Sequence, residues 1–302
     1  MKTIPWFPLL SLLVFHDIWR WTSCANAFQL APKNCRTSPQ GGVPSLMTPM
    51  PPRQTAALTR KHILEAASSE PVSDYQLDFG AIGKYATAIG LQMALFYSIF
   101  RGVDYLVHLS GVKVPFALNF VTFWFVALKS RVLNPMNNSR PKTDNLETNA
   151  NKRNMPSWTP PGVVFPIMWL LIIGPLRAFT TAMVYSATGT YANLPILSLM
   201  LHLSIGDVWN SINNVERRYG ASVVGVLLVW LSKAHAAYRY GQVVPLAGKL
   251  LCIPLVWLTI ASSLIIRTWQ LNPDPATGRP YPLYPAKGQG ETRFSWFGRD
   301  SE

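Results

Sequence analysis

Residues 156–169, Pro156-Ser157-Trp158-Thr159-Pro160-Pro161-Gly162-Val163-Val164-Phe165-Pro166-Ile167-Met168-Trp169, lead into an apolar run that continues to about residue 185. As a helix rising about 1.5 Å per residue, a run of that length crosses the roughly 30 Å of hydrocarbon in a bilayer. Comparable runs occupy about 194–214, 221–240 and 248–271, each bounded by Pro, Gly, Asn or charge. Two earlier runs, at about 85–109 and 112–133, are interrupted by Arg101, Asp104 and Lys129. The pattern allows five or six spans, and six accounts for every run. A backbone in lipid must satisfy its own N–H and C=O groups. Long helices do that, and the sequence lacks the alternating strands of roughly ten residues that a membrane barrel needs. The expected fold is therefore an all-α, polytopic membrane helix bundle.

Composition agrees. The chain is 49% hydrophobic and 14% charged, against roughly 25% charged residues in an ordinary soluble domain. Its 27 Lys and Arg exceed 14 Asp and Glu by 13. These basic residues lie in the N-terminal segment and in loops between apolar runs, with no nucleic-acid module beside them, so nucleic acid is not an expected partner. Lys129, Arg131, Arg140, Lys142, Lys152 and Arg153 fall in one connection, Arg217 and Arg218 in another, and the tail after Asn272 is also basic. If the helices alternate, all three lie on one face of the membrane, which the positive-inside tendency makes the inner one. The connection from Ser186 to Asn193 on the other face carries no charge. Residues 134–155, rich in Asn, read as an exposed loop, and 273–302 as a polar C-terminal tail. Cys24, Cys35 and Cys252 form neither a disulfide framework nor a metal spacing.

The N-terminus reads as an address. Lys2 precedes an apolar stretch from Ile4 to Phe15, and Ala25 and Ala27 make a small-residue cleavage site, so 1–27 is expected to be a signal peptide. Residues 28–70 follow as a transit-peptide-like, disordered segment. No acid occurs from Phe28 to Leu64, while Lys33, Arg36, Arg53, Arg60 and Lys61 are scattered among Pro, Ser and Thr. A signal followed by a transit segment, with Phe28 at the junction, resembles the bipartite presequence of secondary plastids in diatoms and related algae. That resemblance implies a plastid (chloroplast) membrane as the destination.

Residues 156–169 match P-x-W-x-P-P-x-x-V-F-x-x-x-W. Near the other end stand Pro254-Leu255-Val256-Trp257-Leu258-Thr259-Ile260-Ala261 and Trp269-Gln270-Leu271-Asn272. Over 156–272 the chain resembles the TspO/MBR family, the tryptophan-rich sensory or translocator proteins. The resemblance implies a five-helix bundle, with 85–133 supplying one or two N-terminal membrane helices and so room for an extra one. It also implies that Trp158, Phe165, Trp169, Trp209, Trp257 and Ala261 line a site for a hydrophobic planar ligand such as a tetrapyrrole, porphyrin or haem. Tryptophan has a wide polarizable face and one N–H donor, so converging indoles can sandwich a flat macrocycle. The plainer reading is that they are interfacial or packing residues.

The pattern also departs from the family. The third-helix stretch is Gly206-Asp207-Val208-Trp209-Asn210-Ser211-Ile212-Asn213-Asn214, with Asp207, Asn210 and Asn214 on one stripe. Arg177 falls midway along the second helix of the unit. A charge at mid-bilayer costs about 2.5–3.5 kcal/mol on insertion scales and normally finds a partner, so an intramembrane Arg177–Asp207 pair is expected. The family's fifth-helix tyrosine is replaced at Ile265-Ile266, and sterol transport is not carried over. His108 and His202 are lone histidines of the kind that is usually structural, with axial haem ligation as the alternative. His235 neighbours Lys233 and Arg239 near the end of a run. No catalytic set or metal cluster assembles, and no cofactor is required. The expected function is binding, and transport or sequestration, of the planar ligand, with an enzyme the least supported reading. The alternative is a structural subunit or assembly factor of a photosynthetic membrane complex. Expected partners are the bilayer, the ligand, and either a second copy in a homodimer or a photosynthetic complex.

Overall fold

The computed structural model describes residues 75–137 and 153–296. The signal and transit-like segments, and residues 138–152 of the Asn-rich loop, lie outside the described residues. Six helical segments follow in order: α1 (Phe79–Ser110), α2 (Phe116–Leu133, its last four residues a 3-10 turn), α3 (Val164–Thr188), α4 (Leu194–Asn210), α5 (Tyr219–Val243) and α6 (Pro245–Leu271). Among the described residues there is no β-strand, only isolated antiparallel bridges pairing Leu77 with Ala286 and Met136 with Phe294.

The boundaries follow local chemistry. Asp78 caps α1 by accepting from Ala81 N at 2.9 Å, and Asn193 caps α4 by accepting from Ile196 N at 2.8 Å. Pro195 and Pro245 sit in first turns, where their missing N–H costs nothing. α1 and α3 end at left-handed glycines, Gly111 and Gly189. Inside α3 the residues Met168–Ile173 form a π turn just before Pro175. Proline cannot donate to the carbonyl four residues back and its ring crowds it; here the widened turn comes immediately before that proline.

Five of the six, α1, α2, α3, α5 and α6, are long and apolar enough to cross a membrane, so this is a multi-pass membrane protein. α4 falls short as a regular helix because it passes into a second π turn, Ser211–Val215. Its apolar average is lowered by Ser198, His202, Ser204 and Asp207, all buried. Adjacent packing runs α1–α4–α5–α6–α3–α2. The ring closes between α2 and α1, where the Phe123 and Phe100 rings meet edge to face at 6.0 Å.

The three basic segments do meet at one end of the bundle. Arg153 donates to Asn213 O and lies over the Tyr219 ring, and Asn154 and Asn272 bond each other across α6's end. One expectation about this end needs correction. The start of the loop expected to be exposed, Asn134 to Met136, is buried, because Asn134 Nδ2 donates to Gln92 Oε1 at 2.6 Å and Met136 pairs with Phe294. The described part of the polar tail, to residue 296, packs against the bundle. It folds back over the helix ends, where Trp269 Nε1 donates to Tyr281 O at 2.8 Å and Ala286 and Thr292 are buried.

Arg218 ties this end together. Its Nη2 donates to Asp78 Oδ2 at 2.8 Å and to Gly290 O at 2.7 Å, and its Nε lies 3.1 Å from Glu216 Oε2. Thr292 Oγ1 and Tyr85 OH also donate to Glu216. The Arg218 guanidinium, and then the Ala81 N–H, hold the Asp78 carboxyl below its ordinary value of 3.8, whereas burial pushes Glu216 up. A carboxyl depressed in the folded state stabilises fully above its unfolded value, and that stabilisation is lost as pH falls through the folded one. A raised carboxyl acts in the opposite sense, so Glu216 is protonated before Asp78 on acidification. Arg218 loses its last counter-charge only once the pH has fallen through the lowered Asp78 value, below 3.8, and pepsin cleavage of the tail is expected to rise sharply there. A tail equally resistant across that range contradicts this coupling.

Candidate ligand site

The proline-rich stretch that opens the motif is held by a turn in which Thr159 N and Oγ1 both bond Pro156 O, at 3.0 and 2.6 Å. Trp158 projects from this turn with 48% of its surface exposed. At the start of α3, Phe165 meets Trp257 of α6 edge to face, with centroids 5.8 Å apart. Beyond that pair a groove of about 250 Å³ runs between α3 and α6, lined by Met168, Ile172, Leu176, Ile253, Trp257 and Ile260. Ile172, Ile253 and Ile260 are exposed along its rim, so it opens on the surface that faces lipid. Trp257 Nε1 is buried and has no hydrogen-bond partner among the described residues. Ala261 follows Trp257 by one turn and is half-buried.

Trp169 is placed differently. It lies in the π turn, and the Arg177 guanidinium stacks over its ring at 5.2 Å. Trp209 belongs to neither group. Its indole is wedged against Gly225, where an added Cβ would stand 2.7 Å from Trp209 Cδ1. Its Nε1 donates to Ser222 O at 3.0 Å, and it packs in a cluster with Ile265, Ile266 and Trp269. The expectation that Trp209 lines the site with the other tryptophans is corrected: it joins α4 to α5, and its only donor is spent there.

The Arg177–Asp207 pair is also corrected. Both residues are buried and attract each other electrostatically, but no direct ion pair joins them. Arg177 Nη2 lies 2.8 Å from His202 Nε2. A guanidinium can only donate, so Nε2 is the acceptor and the imidazole is neutral, with its proton on Nδ1. That nitrogen faces Val229 O and Ser232 Oγ, each at 3.1 Å. With both ring nitrogens engaged, His202 is a structural histidine and offers no axial position. Asp207 instead accepts from Gln92 Nε2 at 2.9 Å and lies 4.0 Å from Arg131 Nε. The helices are rotated so that Asp207 looks toward α1 and α2, and Arg177 toward His202 on α4. The rest of the stripe is held by its neighbours, Asn214 Nδ2 donating to Asn210 Oδ1 at 2.7 Å.

Sequence reasoning missed two interior residues. Gln92 was hidden in a run whose charges drew attention elsewhere, yet it is fully buried and joins α1, α2 and α4. Lys233 was assigned to a helix end because the apolar run stops near 240. The helix continues to Val243 and Lys233 is fully buried, on the same inner face as Val229 and Tyr240. A lysine inside a span was the signal that could have found it. No group of three or more His, Cys, Asp or Glu suited to a metal occurs among the described residues.

Comparison with known proteins places these features. The model of the TspO/MBR family matches residues 115–270, starting at the N-cap of α2 and ending in the last turn of α6. The family's unit is therefore α2 to α6, and α1 is the additional N-terminal helix. The chain is similar to the protein CrtK of Rhodobacter capsulatus, 27% identical over 123 residues, or 39% of this chain and 74% of that protein. It is similar to the human translocator protein at 28% over 130 residues, 42% and 76% of the two chains. It is also similar to the tryptophan-rich sensory protein of Cereibacter sphaeroides, at 27% over 131 residues, 43% and 79%. With the family's pattern extending over more than half of its 302 residues, the proline turn and the Phe165–Trp257 pair within it, the chain belongs to the TspO/MBR family.

Proposed function

We propose that this protein binds a flat, largely apolar ligand of the tetrapyrrole class, porphyrin or haem, in the groove between α3 and α6, and that it sequesters or passes on that ligand within a plastid membrane. The observation that carries this reading is the Phe165–Trp257 pair beside an apolar groove, with the Trp257 N–H unspent. An aromatic wall and one free donor suit a macrocycle with an apolar face and polar edges. The groove's 250 Å³ is below the roughly 300–1,000 Å³ of enclosed ligand sites. The ligand therefore keeps part of its surface in lipid. The plastid destination rests on the presequence, and a fluorescent protein fused behind residues 1–70 tests it directly.

The ligand test is a titration of the purified protein with protoporphyrin while tryptophan fluorescence is followed. Saturable quenching is expected, with affinity lowered about tenfold, or about 1.4 kcal/mol, by Trp257→Ala and left unchanged by Trp209→Phe. If Trp257→Ala binds like the wild type, the groove is not the site. A second reading draws on α1, which lies outside the family's unit and exposes Tyr105, Leu106 and Leu109. Such a flank would suit a neighbouring helix in a photosynthetic complex. Co-purification with a large pigment complex, without quenching by free porphyrin, would favour it.

A further inference from the structure

The interior of the ring carries two buried basic side chains, Lys233 and Arg177, and no ion pair joins either to an acid among the described residues. Lys233 is fully buried and its Nζ meets no hydrogen-bond partner among the described residues. Arg177 is buried too, with its Nε unpartnered. Two cross-links place Lys233. One turn before it on α5, Val229 O faces His202 Nδ1, and His202 in turn holds Arg177. Two turns after it, Tyr240 OH bonds Thr181 Oγ1 at 2.9 Å, and Thr181 follows Arg177 by one turn on α3. Lys233 thus stands between the two links, on the face of α5 turned toward α3 and α4, close enough to Arg177 to interact with it electrostatically. Asp207, a buried acid, is bonded by Gln92, lies beside Arg131 and acts on Arg177 only from a distance, without a direct ion pair. A buried ammonium without an anion is strongly disfavoured, and membrane interiors hold charged groups where they serve a ligand or ion.

The geometry points to an interior anion site in which Lys233 and Arg177 receive the carboxylate of an otherwise apolar ligand. This rests on the function proposed above and narrows it: the ligand is an acid, and its esters are poor substitutes. The site and the groove share one structural element. The π turn Met168–Ile173 contributes Met168 and Ile172 to the groove, and its Trp169 carries the Arg177 guanidinium on its ring. A macrocycle wedged in the groove therefore directs an acidic side chain past Trp169 toward Arg177 and Lys233. Lys233 Nζ and Arg177 Nε, neither with a partner among the described residues, would receive it as charge-assisted hydrogen bonds.

The test compares protoporphyrin IX with its dimethyl ester, which keeps the ring and removes the charge, by tryptophan quenching in detergent. The wild type is expected to bind the free acid about tenfold or more tighter than the ester. Lys233→Met is expected to abolish that preference by weakening the acid alone, and its unchanged ester affinity shows that it is folded. Lys233→Arg is expected to retain the preference. Equal affinity of the wild type for acid and ester overturns the anion site and leaves the groove reading intact. Quenching by neither compound overturns the tetrapyrrole reading and this assignment with it.

Discussion

Arg218→Met is expected to destabilise the bundle by about 3–5 kcal/mol, the cost of stranding buried charge when one partner of a buried pair is removed. The Arg218 side chain is 1% exposed and serves Asp78 at the start of α1, Glu216 before α5 and the Gly290 carbonyl in the tail. Without it Glu216, its own side chain 2% exposed, remains in a site built for an ion pair. Arg218→Lys should recover only part of the loss, since a single ammonium cannot reproduce a planar fork directed at three acceptors. Adding Glu216→Gln to Arg218→Met should restore more, because it removes the stranded charge instead of replacing its partner. Unfolding midpoints in detergent report all three variants. A value for Arg218→Met within about 0.5 kcal/mol of wild type, the range of an ordinary surface change, would show that the tail is not held by this residue.

Gly248→Ala is the second large effect, and its control lies across the same contact. An added Cβ at Gly248 would stand 2.4 Å from Gly241 Cα, 2.6 Å from Gly241 N and 2.8 Å from Ala237 O. All three atoms are backbone, so no side chain can turn aside and α5 and α6 must separate. Overpacking of this kind typically costs about 1–3 kcal/mol, set against the gain of up to about 1 kcal/mol that alanine brings to a helix interior. At Gly241 an added Cβ would meet Gly248 Cα at 3.7 Å, an ordinary contact. Gly241→Ala is therefore expected to be neutral or stabilising, and Gly248→Ala to lower the unfolding midpoint. Equal behaviour of the two would mean that the helices do not cross this closely.

Both effects arise at places that the sequence does not advertise, and the reason is physical. The apolar runs, the all-α class and the basic face could be read directly, because hydrophobic length and loop charge are local properties compared against a bilayer of known thickness. The motif at Pro156–Trp169 was equally legible, since a proline-stiffened turn needs its residues in consecutive positions. α4 was seen as a run, but its π turn and its enclosed polar face were not, because average hydropathy does not say which side of a helix faces the protein.

Periodicity shows which residues share a stripe and leaves open which helix that stripe meets. Asp207, Asn210 and Asn214 were recognised as one polar line, yet only the rotation of α4 against α1 and α2 assigned Asp207 to Gln92 and gave Arg177 to His202. Trp209 reads like the other tryptophans until the close approach of Gly225 turns it into a packing residue. Lys233 looks like a helix-end cation until α5 is seen to continue past it, with Lys233 turned inward between two cross-links. The sequence by itself determined that this chain lives in a membrane and which family motif it carries. Tertiary structure alone decided the ring order of the helices, the partners of the buried charges and the folding back of the tail, because each depends on contacts between segments tens to hundreds of residues apart.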